Sequence, residues 1–407
     1  MSKQQLKIAF LGNQIAWGGG AKSLLLLIKS ISNLHFRLYL FVTHCVSQEM
    51  EEEFKQYVEF VKIINLPEIT SAQTQSVKNN MELVYENNID FSQVDCFADE
   101  LNHLKIDILH INNSVFSLVY KTIRSKTKVK IVSHIREWID WNGIHQKQKF
   151  IIDTLNKNSD AIICISETEA KVFNNNTNLY IIPNPFDFQE LELFEKNFVN
   201  IKSSLGLDDD HFIVGMMGRY QENKGFLDFL RALAYLKKNY TNVSDIKFII
   251  LGGSLPSLTN KFIFALKKIM GKSTFSYNIH KFLKKENLFD EVFFLSNRKN
   301  ILEIINTFDV AVRPSYSGDP WGRDIIEYMA LRKPIVATGS SEFFIKEGGT
   351  GFLVPPRDYI QLAEKIYWLF RNKNERIQMG MAAHEQIYSK CNMNEFRSKI
   401  LKVYKSL

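Results

Sequence analysis

The sequence has no long uninterrupted apolar run. Its 407 residues are 45% hydrophobic, yet apolar stretches such as 24–28 and 248–251 are short and flanked by Lys, Ser or Gly. A membrane-spanning helix needs roughly 18 or more consecutive apolar residues. The sequence therefore predicts a protein without membrane-spanning helices.

Cysteine is scarce and scattered. The four cysteines form no CxxC pair, and no histidines cluster near them at metal-ligand spacing: Cys45, Cys96, Cys164 and Cys391. This pattern argues against a disulfide scaffold or a zinc site and predicts reduced, structural thiols. The first ten residues also lack the basic start, long apolar segment and cleavage site of a secretory signal, so we expect a cytoplasmic protein.

Acidic residues are fewer than basic ones, and the excess of positive charge is unevenly distributed along the chain. The net charge is +7, with −4 on residues 1–195 and +11 on residues 196–407. A basic half suits nucleic acid, an anionic membrane surface or a phosphorylated small molecule. Net charge alone does not choose among them.

Short apolar runs alternate with amphipathic stretches along the whole chain. In the first half a helix is predicted over 21–31, and strands are predicted over 7–11, 37–43, 106–112, 129–134 and 160–166. In the second half helices are predicted over 226–236, 361–370 and 374–407, and strands over 212–217, 247–251, 291–295, 310–313, 334–338 and 351–354. This alternation favours parallel sheets covered by helices on both faces.

A polar, proline-punctuated segment around 181–205 separates the two halves. We predict an α/β protein of two doubly wound, Rossmann-like domains, 1–190 and 191–385, facing across a cleft. A C-terminal helix over 386–407 is expected to cross back to the first domain. Ligands of such sheets bind beyond the carboxyl ends of the strands, so the cleft is the expected site.

One glycine-rich loop joins the first predicted strand to the first predicted helix. Gly19 and Gly20 lie in the segment 18–23, where bare backbone amides and the positive helix end could approach phosphate or sugar hydroxyls. The spacing matches neither GxGxxG nor GxxxxGK[ST], so a flexible turn is the alternative.

A second loop, 215–225, places two cations between a strand and a helix. Gly218 is followed by Arg219 and, five residues on, by Lys224. An Arg fork, a Lys point charge and a helix N-terminus together suit a pyrophosphate. Two solvated surface cations are the alternative.

The most specific motif spans 313–330 and carries two carboxylates. Asp319 lies in a Gly/Pro loop after a strand, and Glu327 lies in the next helix. Carboxylates so placed can hold two parts of a polyhydroxylated ligand, such as a sugar ring and a ribose. For Glu327 the alternative is a capping box that begins at Asp324.

An acidic run at 208–210 has the form of a DxD metal-diphosphate motif. It lies in the polar joint before a strand, and Arg219 with Lys224 already supplies the positive charge that a metal would provide. We interpret the run as a solvated acidic turn and predict no metal site.

Taken together, these motifs resemble the retaining glycosyltransferases of the GT-B fold, specifically glycosyltransferase family 4 (group 1). The family's E-x7-E region is similar to residues 319–327, and its IPNG(V/I)D joint is similar to 182–187. The segments 333–338 and 348–354 follow in matching order. The resemblance is strongest over 212–370 and weakest over 45–105.

The resemblance implies a role for each matching residue. Arg219 and Lys224 would grip the donor diphosphate, Glu327 would bind the donor ribose, and Asp319 would contact the donor sugar. His134, at the end of a predicted strand, would face that sugar; a core or capping histidine is the alternative. The remaining donor-binding residues would be Gly19, Gly20, Gly218, Gly322, Arg323 and Asp324.

Four positions depart from the family pattern. Asp319 replaces the usual first Glu, and Arg332 stands where the family usually has Gly before Lys-Pro. Pro185 replaces the Gly of the joint, and Lys22 replaces a frequent Glu. The change at Asp319 bears on donor choice, because the side chain is one methylene shorter.

The expected function is transfer of a hexose-type sugar, with retention, from a nucleotide diphosphate sugar to a hydroxyl acceptor. The acceptor would be a glycan or lipid-linked saccharide in surface polysaccharide or glycoconjugate synthesis, and we expect no cofactor, metal or nucleic acid to take part. Two alternatives stay open: a GT-B nucleotide-sugar epimerase or hydrolase, and a non-catalytic nucleotide-sugar-binding protein.

Two basic stretches predict peripheral contact with an anionic membrane on the cytoplasmic side. Residues 261–285 interleave lysines with Phe, Leu and Ile, and a second basic cluster lies at 121–130. A basic amphipathic element can lie on anionic lipid. A solvated helix face is the alternative.

Overall fold

The chain is divided into two compact units. The computed structural model describes residues 5–69, 90–137, 139, 145–173, 176–253, 275–296, 301–319 and 321–407. One unit comprises Met1–Phe186 together with Cys391–Leu407, and the other comprises Asp187–Lys390. Each contains one parallel β-sheet with helices packed against it, as the alternating pattern predicts.

A seven-stranded sheet forms the first unit, in the order β3-β2-β1-β4-β5-β6-β7. The strands are β1 (Leu6–Ile15), β2 (Phe36–Cys45), β3 (Val61–Ile63), β4 (Ile108–Ile111), β5 (Lys130–Ile135), β6 (Ala161–Cys164) and β7 (Leu179–Ile181). The helices are α1 (Gly19–Ile31), α2 (Gln48–Lys55), α3 (Ser92–Leu104), α4 (Tyr120–Lys126), α5 (His145–Asn158) and α6 (Glu167–Ala170). The strand order reverses between β1 and β4, and ligands of doubly wound sheets bind at such a point.

Strand β1 shows why this sheet is buried on both faces. Ala9 and Leu11 belong to one apolar cluster, and Ile8 and Phe10 belong to another on the opposite face. Successive side chains of a strand point to opposite faces, so a continuous apolar run suits a sheet covered on both sides.

The first strand is longer than its apolar run predicts. It continues to Ile15, which pairs with Cys45 of β2, so the strand predicted over 7–11 is too short at its carboxyl end. A Cβ on Gly12, within the strand, would lie 3.1 Å from the Leu24 side chain of α1. Glycine there permits close packing of helix on strand.

A six-stranded sheet forms the second unit, in the order β10-β9-β8-β11-β12-β13. The strands are β8 (Phe212–Met217), β9 (Ile246–Leu251), β10 (Val292–Leu295), β11 (Val310–Arg313), β12 (Ile335–Thr338) and β13 (Gly351–Val354). The helices are α7 (Phe188–Asn197), α8 (Phe226–Asn239), α9 (Phe275–Glu286), α10 (Ile301–Asn306), α11 (Arg323–Ala330), α12 (Tyr359–Arg371) and α13 (Lys373–Cys391). Here the strand order reverses between β8 and β11, the two strands that precede the cationic loop and the carboxylate motif.

The described part of the predicted membrane-binding stretch is a core helix. Ile279 and Leu283 of α9 are fully buried in the core of the second unit, while Lys281, Lys284 and Lys285 are exposed. Leu283 is therefore not available to lipid, because this face of the helix packs in the core of the second unit, and peripheral membrane contact stays a prediction. Residues 261–274 of that stretch lie outside the described residues.

The second basic cluster contains cations that are paired with acids. Arg124 and Lys130 both contact Asp160, and Lys126 lies 2.8 Å from Asp95. Within the described ranges, none of the helices combines the length and apolar character needed to cross a membrane.

The chain returns to the first unit through its last helix, α14 (Met393–Lys405). The single helix predicted from 374 to the end is wrong, because the helix ends after α13 and a second helix begins. Asn392 caps α14 by accepting a hydrogen bond from the Glu395 amide (2.9 Å). Phe396, Ile400 and Val403 of α14 are buried on the sheet face that also contacts α1.

Two strands escape the sequence prediction. Both β3 and β7 have three residues and lie at opposite edges of the first sheet. Their residues are partly or fully exposed, so they carry little of the apolar pattern that marks the central strands. The predicted strands 212–217, 310–313 and 351–354 coincide with the observed ones.

Candidate active site

The cationic loop follows β8 and ends at Gly225. Gly218 begins the loop, Arg219 is exposed, and Lys224 closes a 3₁₀ turn. Gly225 has φ +77°, a left-handed conformation that L side chains rarely adopt, and it caps α8. The loop therefore presents both cations at the carboxyl edge of the sheet.

Arg313, the last residue of β11, organises the carboxylate motif. Its Nη2 donates to Asp319 (2.8 Å), and its Nη1 contacts both carboxylate oxygens of Asp324 (2.7 and 2.6 Å). Its Nε donates to the backbone oxygen of Asp319 (2.8 Å). One buried guanidinium thus holds the loop after β11 against the first turn of α11.

These contacts set the charge state of Asp319. Burial opposes ionisation, but Arg313 together with Ser315 and Ser317 outweighs it, so the pKa of Asp319 lies below its ordinary value. The Arg313 pKa is raised: burial would lower it, but the two carboxylates overcome that effect. The group is an ionised cluster.

Lys224 lies beside this cluster. Burial lowers its pKa, as do Arg313 and Arg219, while Asp319 and Asp324 act in the opposite direction. Within the described residues, the Lys224 ammonium makes no hydrogen bond. The structure therefore brings together the cations of one loop and the carboxylates of the other, as the two motifs predict separately.

Helix α11 begins at this cluster without a side-chain cap. Gly322 is its N-cap, and a Cβ there would lie 2.5 Å from the Asp324 carboxylate and 2.9 Å from Arg313 Nη1. Only glycine lets the guanidinium approach so closely. The amides of the first turn have no side-chain cap, and a helix end of this kind attracts anions.

Glu327 is not part of a capping box. Asp324 lies inside the helix, and Glu327 Oε1 accepts a hydrogen bond from Arg323 Nε (3.1 Å) within the same helix. The Glu327 residue is 1% exposed, and its Oε2 has no hydrogen-bond partner in the described part of the chain. A buried acceptor without a partner costs about 1–3 kcal/mol, which a hydroxyl donor would offset.

The glycine loop lies in the first unit, at the start of α1. Gly18 caps this helix without a side-chain hydrogen bond, and Gly19 and Gly20 form its first two positions, all three exposed. The interpretation as an anion- or hydroxyl-facing helix end stays a prediction. Trp17, 40% exposed, precedes the loop.

His134 lies at the carboxyl end of β5 in the first unit and is fully buried. Burial lowers its pKa well below the ordinary value, and so do the neighbouring Arg136 and His110. Its Nδ1 lies 3.0 Å from His110 Nε2, and its Nε2 has no partner among the described residues. It is a neutral histidine with one ring nitrogen uncommitted.

The acidic run 208–210 precedes β8 in a turn. Asp209 accepts a hydrogen bond from Asn200 (2.9 Å), and the Asp208 side chain is 87% exposed. Across the described ranges, no group of three or more His, Cys, Asp or Glu side chains could hold a metal ion. Metal independence stays a prediction.

Sequence reasoning did not assign a role to Arg313, Arg136 or His110. Arg313 was visible as a cation at the end of an apolar strand, followed by two aspartates. His110 lies in β4, and Arg136 directly follows β5, the strand that contains His134. Their roles depend on side-chain contacts that periodicity does not report.

The fold is that of GT-B glycosyltransferases, as two comparisons with solved structures show. Alr3699/HepE of Anabaena, in a complex with UDP-glucose, aligns with a TM-score of 0.76 at 18% identity, covering 99% of this chain and 100% of that one. Sucrose-phosphate synthase of Thermosynechococcus elongatus aligns with a TM-score of 0.72 at 18% identity, covering 98% of each chain.

Family models match both halves of the chain. The model for Glycosyltransferase Family 4 matches residues 17–190, and the model for Glycosyl transferases group 1 matches residues 197–386. The chain belongs to glycosyltransferase family 4 (group 1), the family that its motifs resemble.

Curated relatives match only part of the chain. A poly(ribitol-phosphate) alpha-N-acetylglucosaminyltransferase of Staphylococcus aureus (strain COL) is 25% identical over 280 residues, which is 68% of this chain and 50% of that protein. The capsular polysaccharide biosynthesis glycosyltransferase CapM of Staphylococcus aureus is 23% identical over 207 residues, 47% of this chain and 44% of that protein. The chain spans about half the length of these relatives.

Proposed function

We propose that this protein transfers a hexose-type sugar from a nucleotide diphosphate sugar to a hydroxyl acceptor, with retention at the anomeric carbon. The observation that carries the proposal is the cluster at the strand reversal of the second unit. There Lys224 lies beside the Arg313-centred carboxylates with Arg219 near Lys224, and α11 begins uncapped.

The donor diphosphate would bind to the two cations of the β8 loop. Lys224 is partly buried and has no committed hydrogen bond among the described residues, so it can donate to phosphate oxygens without breaking an existing contact. The amides at the α11 N-terminus add backbone donors, whereas the Gly218 amide already donates to the Leu251 carbonyl oxygen (3.0 Å). Charge that develops on the leaving diphosphate would be stabilised by these fixed positive groups.

The two carboxylates would hold different parts of the donor. Glu327 Oε2, buried and unpartnered within the described chain, would accept hydrogen bonds from ribose hydroxyls. Asp319 keeps acceptor capacity beyond its contacts with Arg313 and Ser317, so it can bind a sugar hydroxyl. Asp324 and Arg323 would position Arg313 and Glu327.

No separate nucleophile is assigned. In the proposed reaction the bond between the anomeric carbon and the diphosphate oxygen breaks, and the acceptor oxygen bonds to the same face of that carbon. The acceptor proton passes to the departing phosphate oxygen. From the first unit, His134 would contact the donor sugar, and Gly19 and Gly20 would contact donor or acceptor.

The relatives support the substrate classes. One is by name an alpha-N-acetylglucosaminyltransferase acting on poly(ribitol-phosphate), and another belongs to capsular polysaccharide biosynthesis. HepE was crystallised with UDP-glucose. We therefore propose a glycan or lipid-linked saccharide acceptor in polysaccharide or glycoconjugate synthesis, at the cytoplasmic side of the membrane.

The deciding experiment incubates the full chain with radiolabelled UDP-glucose, UDP-N-acetylglucosamine and GDP-mannose, with and without saccharide acceptors, in excess EDTA. The expected result is a glycosylated acceptor whose anomeric configuration, read by NMR, matches the donor. An epimerised sugar, free sugar only, or binding without turnover would contradict transfer. Activity lost in EDTA and restored by Mn²⁺ would contradict metal independence.

Two matched variants link this activity to the site. Lys224→Gln is expected to lower turnover at least about tenfold, because a cation on the leaving diphosphate is removed. Lys238→Gln, an exposed lysine on α8, is expected to leave turnover unchanged. Equal activity in both variants would remove Lys224 from the site.

A further inference from the structure

His134 is the inner end of a buried hydrogen-bond chain that starts on the last helix of the protein. The Tyr404 hydroxyl of α14 lies 2.8 Å from His110 Nδ1. His110 Nε2 lies 3.0 Å from His134 Nδ1, and both histidines are 0% exposed. The chain crosses from α14 through β4 to β5 within the first unit.

The contact with Arg136 gives this chain a direction. Arg136 Nη2 lies 3.3 Å from His134 Nδ1, and a guanidinium can only donate. This contact favours His134 Nδ1 as an acceptor, which places the ring proton on Nε2. His110 Nε2 must then donate to the same Nδ1, so His110 Nδ1 accepts from the Tyr404 hydroxyl.

Arg136 is itself held in place on two sides. Its Nε donates to Asn112 Oδ1 (2.8 Å), and its Nη1 donates to Asn184 Oδ1. Asn184 is 7% exposed and lies in the 182–187 segment that resembles the family joint. The Asn184 side chain therefore helps to hold the Arg136 guanidinium, the donor that selects the His134 tautomer.

The remaining His134 atom points to a ligand. Nε2 is buried and has no hydrogen-bond partner in the described part of the chain. A second proton on Nδ1 would face two donors, and burial already disfavours the charged ring, in agreement with the lowered pKa. The ring can therefore offer one N–H and no base.

We propose that Tyr404, His110 and Arg136 are positioning residues that hold His134 neutral with its proton on Nε2, so that His134 acts as a hydrogen-bond donor to a substrate oxygen. The identity of that oxygen, a hydroxyl of the donor sugar, rests on the proposed function. The tautomer itself does not, since it follows from the contacts alone.

The first test measures the tautomer directly. The full chain is labelled with ¹⁵N-histidine, and two-bond ¹H–¹⁵N correlation spectra are recorded from pH 5.5 to 8.5, with His134→Gln assigning the signal. We expect a neutral His134 protonated on Nε2 throughout the range. A proton on Nδ1, or a charged ring at any of these pH values, would overturn the proposal.

The second test compares two tyrosines whose hydroxyls form hydrogen bonds near the C-terminal helix. Tyr404→Phe removes the donor to His110, so the His110 proton can move to Nδ1 and leave His134 Nδ1 with only the 3.3 Å contact to Arg136; mixed tautomers are therefore expected at both histidines. Tyr180→Phe removes a hydrogen bond to Ser406 (3.1 Å) without touching either histidine and is expected to leave the pattern unchanged. An unaltered His134 pattern in folded Tyr404→Phe would overturn the relay.

Turnover of a radiolabelled donor separates this inference from the proposed function. Tyr404→Phe is expected to lower kcat roughly tenfold, the factor that about 1.4 kcal/mol corresponds to, with little change in KM. If the tautomer is as proposed but no donor is turned over by the wild type, the proposed function fails and the positioning role stands. If the donor is turned over and kcat is unchanged in Tyr404→Phe, the role in catalysis fails.

Discussion

Gly225 and Pro314 are in direct backbone contact. A Cβ on Gly225 would lie 1.7 Å from the Pro314 carbonyl oxygen, and Gly225 has φ +77°. A second bond joins the same loops, because the Tyr316 amide donates to the Asn223 oxygen (2.9 Å). The cationic loop after β8 and the carboxylate loop after β11 are therefore one packed unit.

Gly225→Ala is expected to lower the melting temperature and to abolish donor binding, since the added methyl must push the two loops apart. Gly206→Ala is the matched control: Gly206 has φ +73° but nothing within 4 Å of its Cβ position. The free energy of unfolding of the control should fall only by the cost of a left-handed backbone at alanine, about 1–2 kcal/mol. Equal losses in the two variants would contradict the contact argument.

Arg313→Met is expected to lower the free energy of unfolding by roughly 3–5 kcal/mol, because it leaves two largely buried carboxylates, 15% and 10% exposed, without their cation. Asp319→Asn in the same background should recover part of that loss. Chemical denaturation of the two single variants and the double variant gives the coupling. Additive losses would show that Arg313 and Asp319 act independently.

Glu327 and Asp319 should separate affinity from turnover. Glu327→Gln is expected to weaken UDP binding by about 1.5–3 kcal/mol, the value of a hydrogen bond to a charged group, and to lower turnover as well. Asp319→Asn should bind UDP normally while its turnover falls. Calorimetry checks both, with exposed Glu364→Gln as control; normal UDP affinity in folded Glu327→Gln would reject the ribose contact.

Arg332 occupies a position that favours glycine. Its φ is +57°, and its side chain forms an ion pair with Glu195 in which both partners are about 40% exposed. Arg332→Gly is expected to raise the free energy of unfolding by roughly 0.5–1 kcal/mol, since relief of backbone strain exceeds the loss of an exposed pair. Glu195→Gln removes the ion pair alone. If Arg332→Gly lowers the free energy of unfolding more than Glu195→Gln does, the proposed backbone strain at Arg332 is refuted.

Glu169 should make stability depend on pH. Burial raises its pKa from 4.5 to about 8, so between these values the folded state binds more protons than the unfolded state. Stability from this group is therefore full below pH 4.5 and lost as pH rises toward 8. Glu169→Gln should be more stable than wild type at pH 8.5, by at least about 1 kcal/mol, and similar at pH 4.5.

The matched control for Glu169 is Glu167→Gln, an exposed residue of the same helix. Its unfolding curves should follow those of the wild type at both pH values. A wild-type pH profile between 4.5 and 8 that persists unchanged in Glu169→Gln would assign the effect to another group.

Much of this protein is readable from local pattern. Apolar runs of strand length predict the central strands, because residues buried on both faces of a sheet must be hydrophobic. Glycines and cations directly after strands indicate Gly218, Arg219 and Lys224, since the carboxyl edge of a parallel sheet collects such loops. The edge strands β3 and β7 escape because their half-exposed residues carry little of that pattern.

The pairing of side chains was decided only by the tertiary structure. Local spacing left a capping box at Asp324–Glu327 as an alternative, yet the distant Arg313 binds Asp324, and Glu327 Oε2 has no partner in the described chain. His110 meets Tyr404 across 294 residues of sequence. Periodicity reports which face a residue occupies, whereas a hydrogen bond depends on which distant element folding brings within 3 Å.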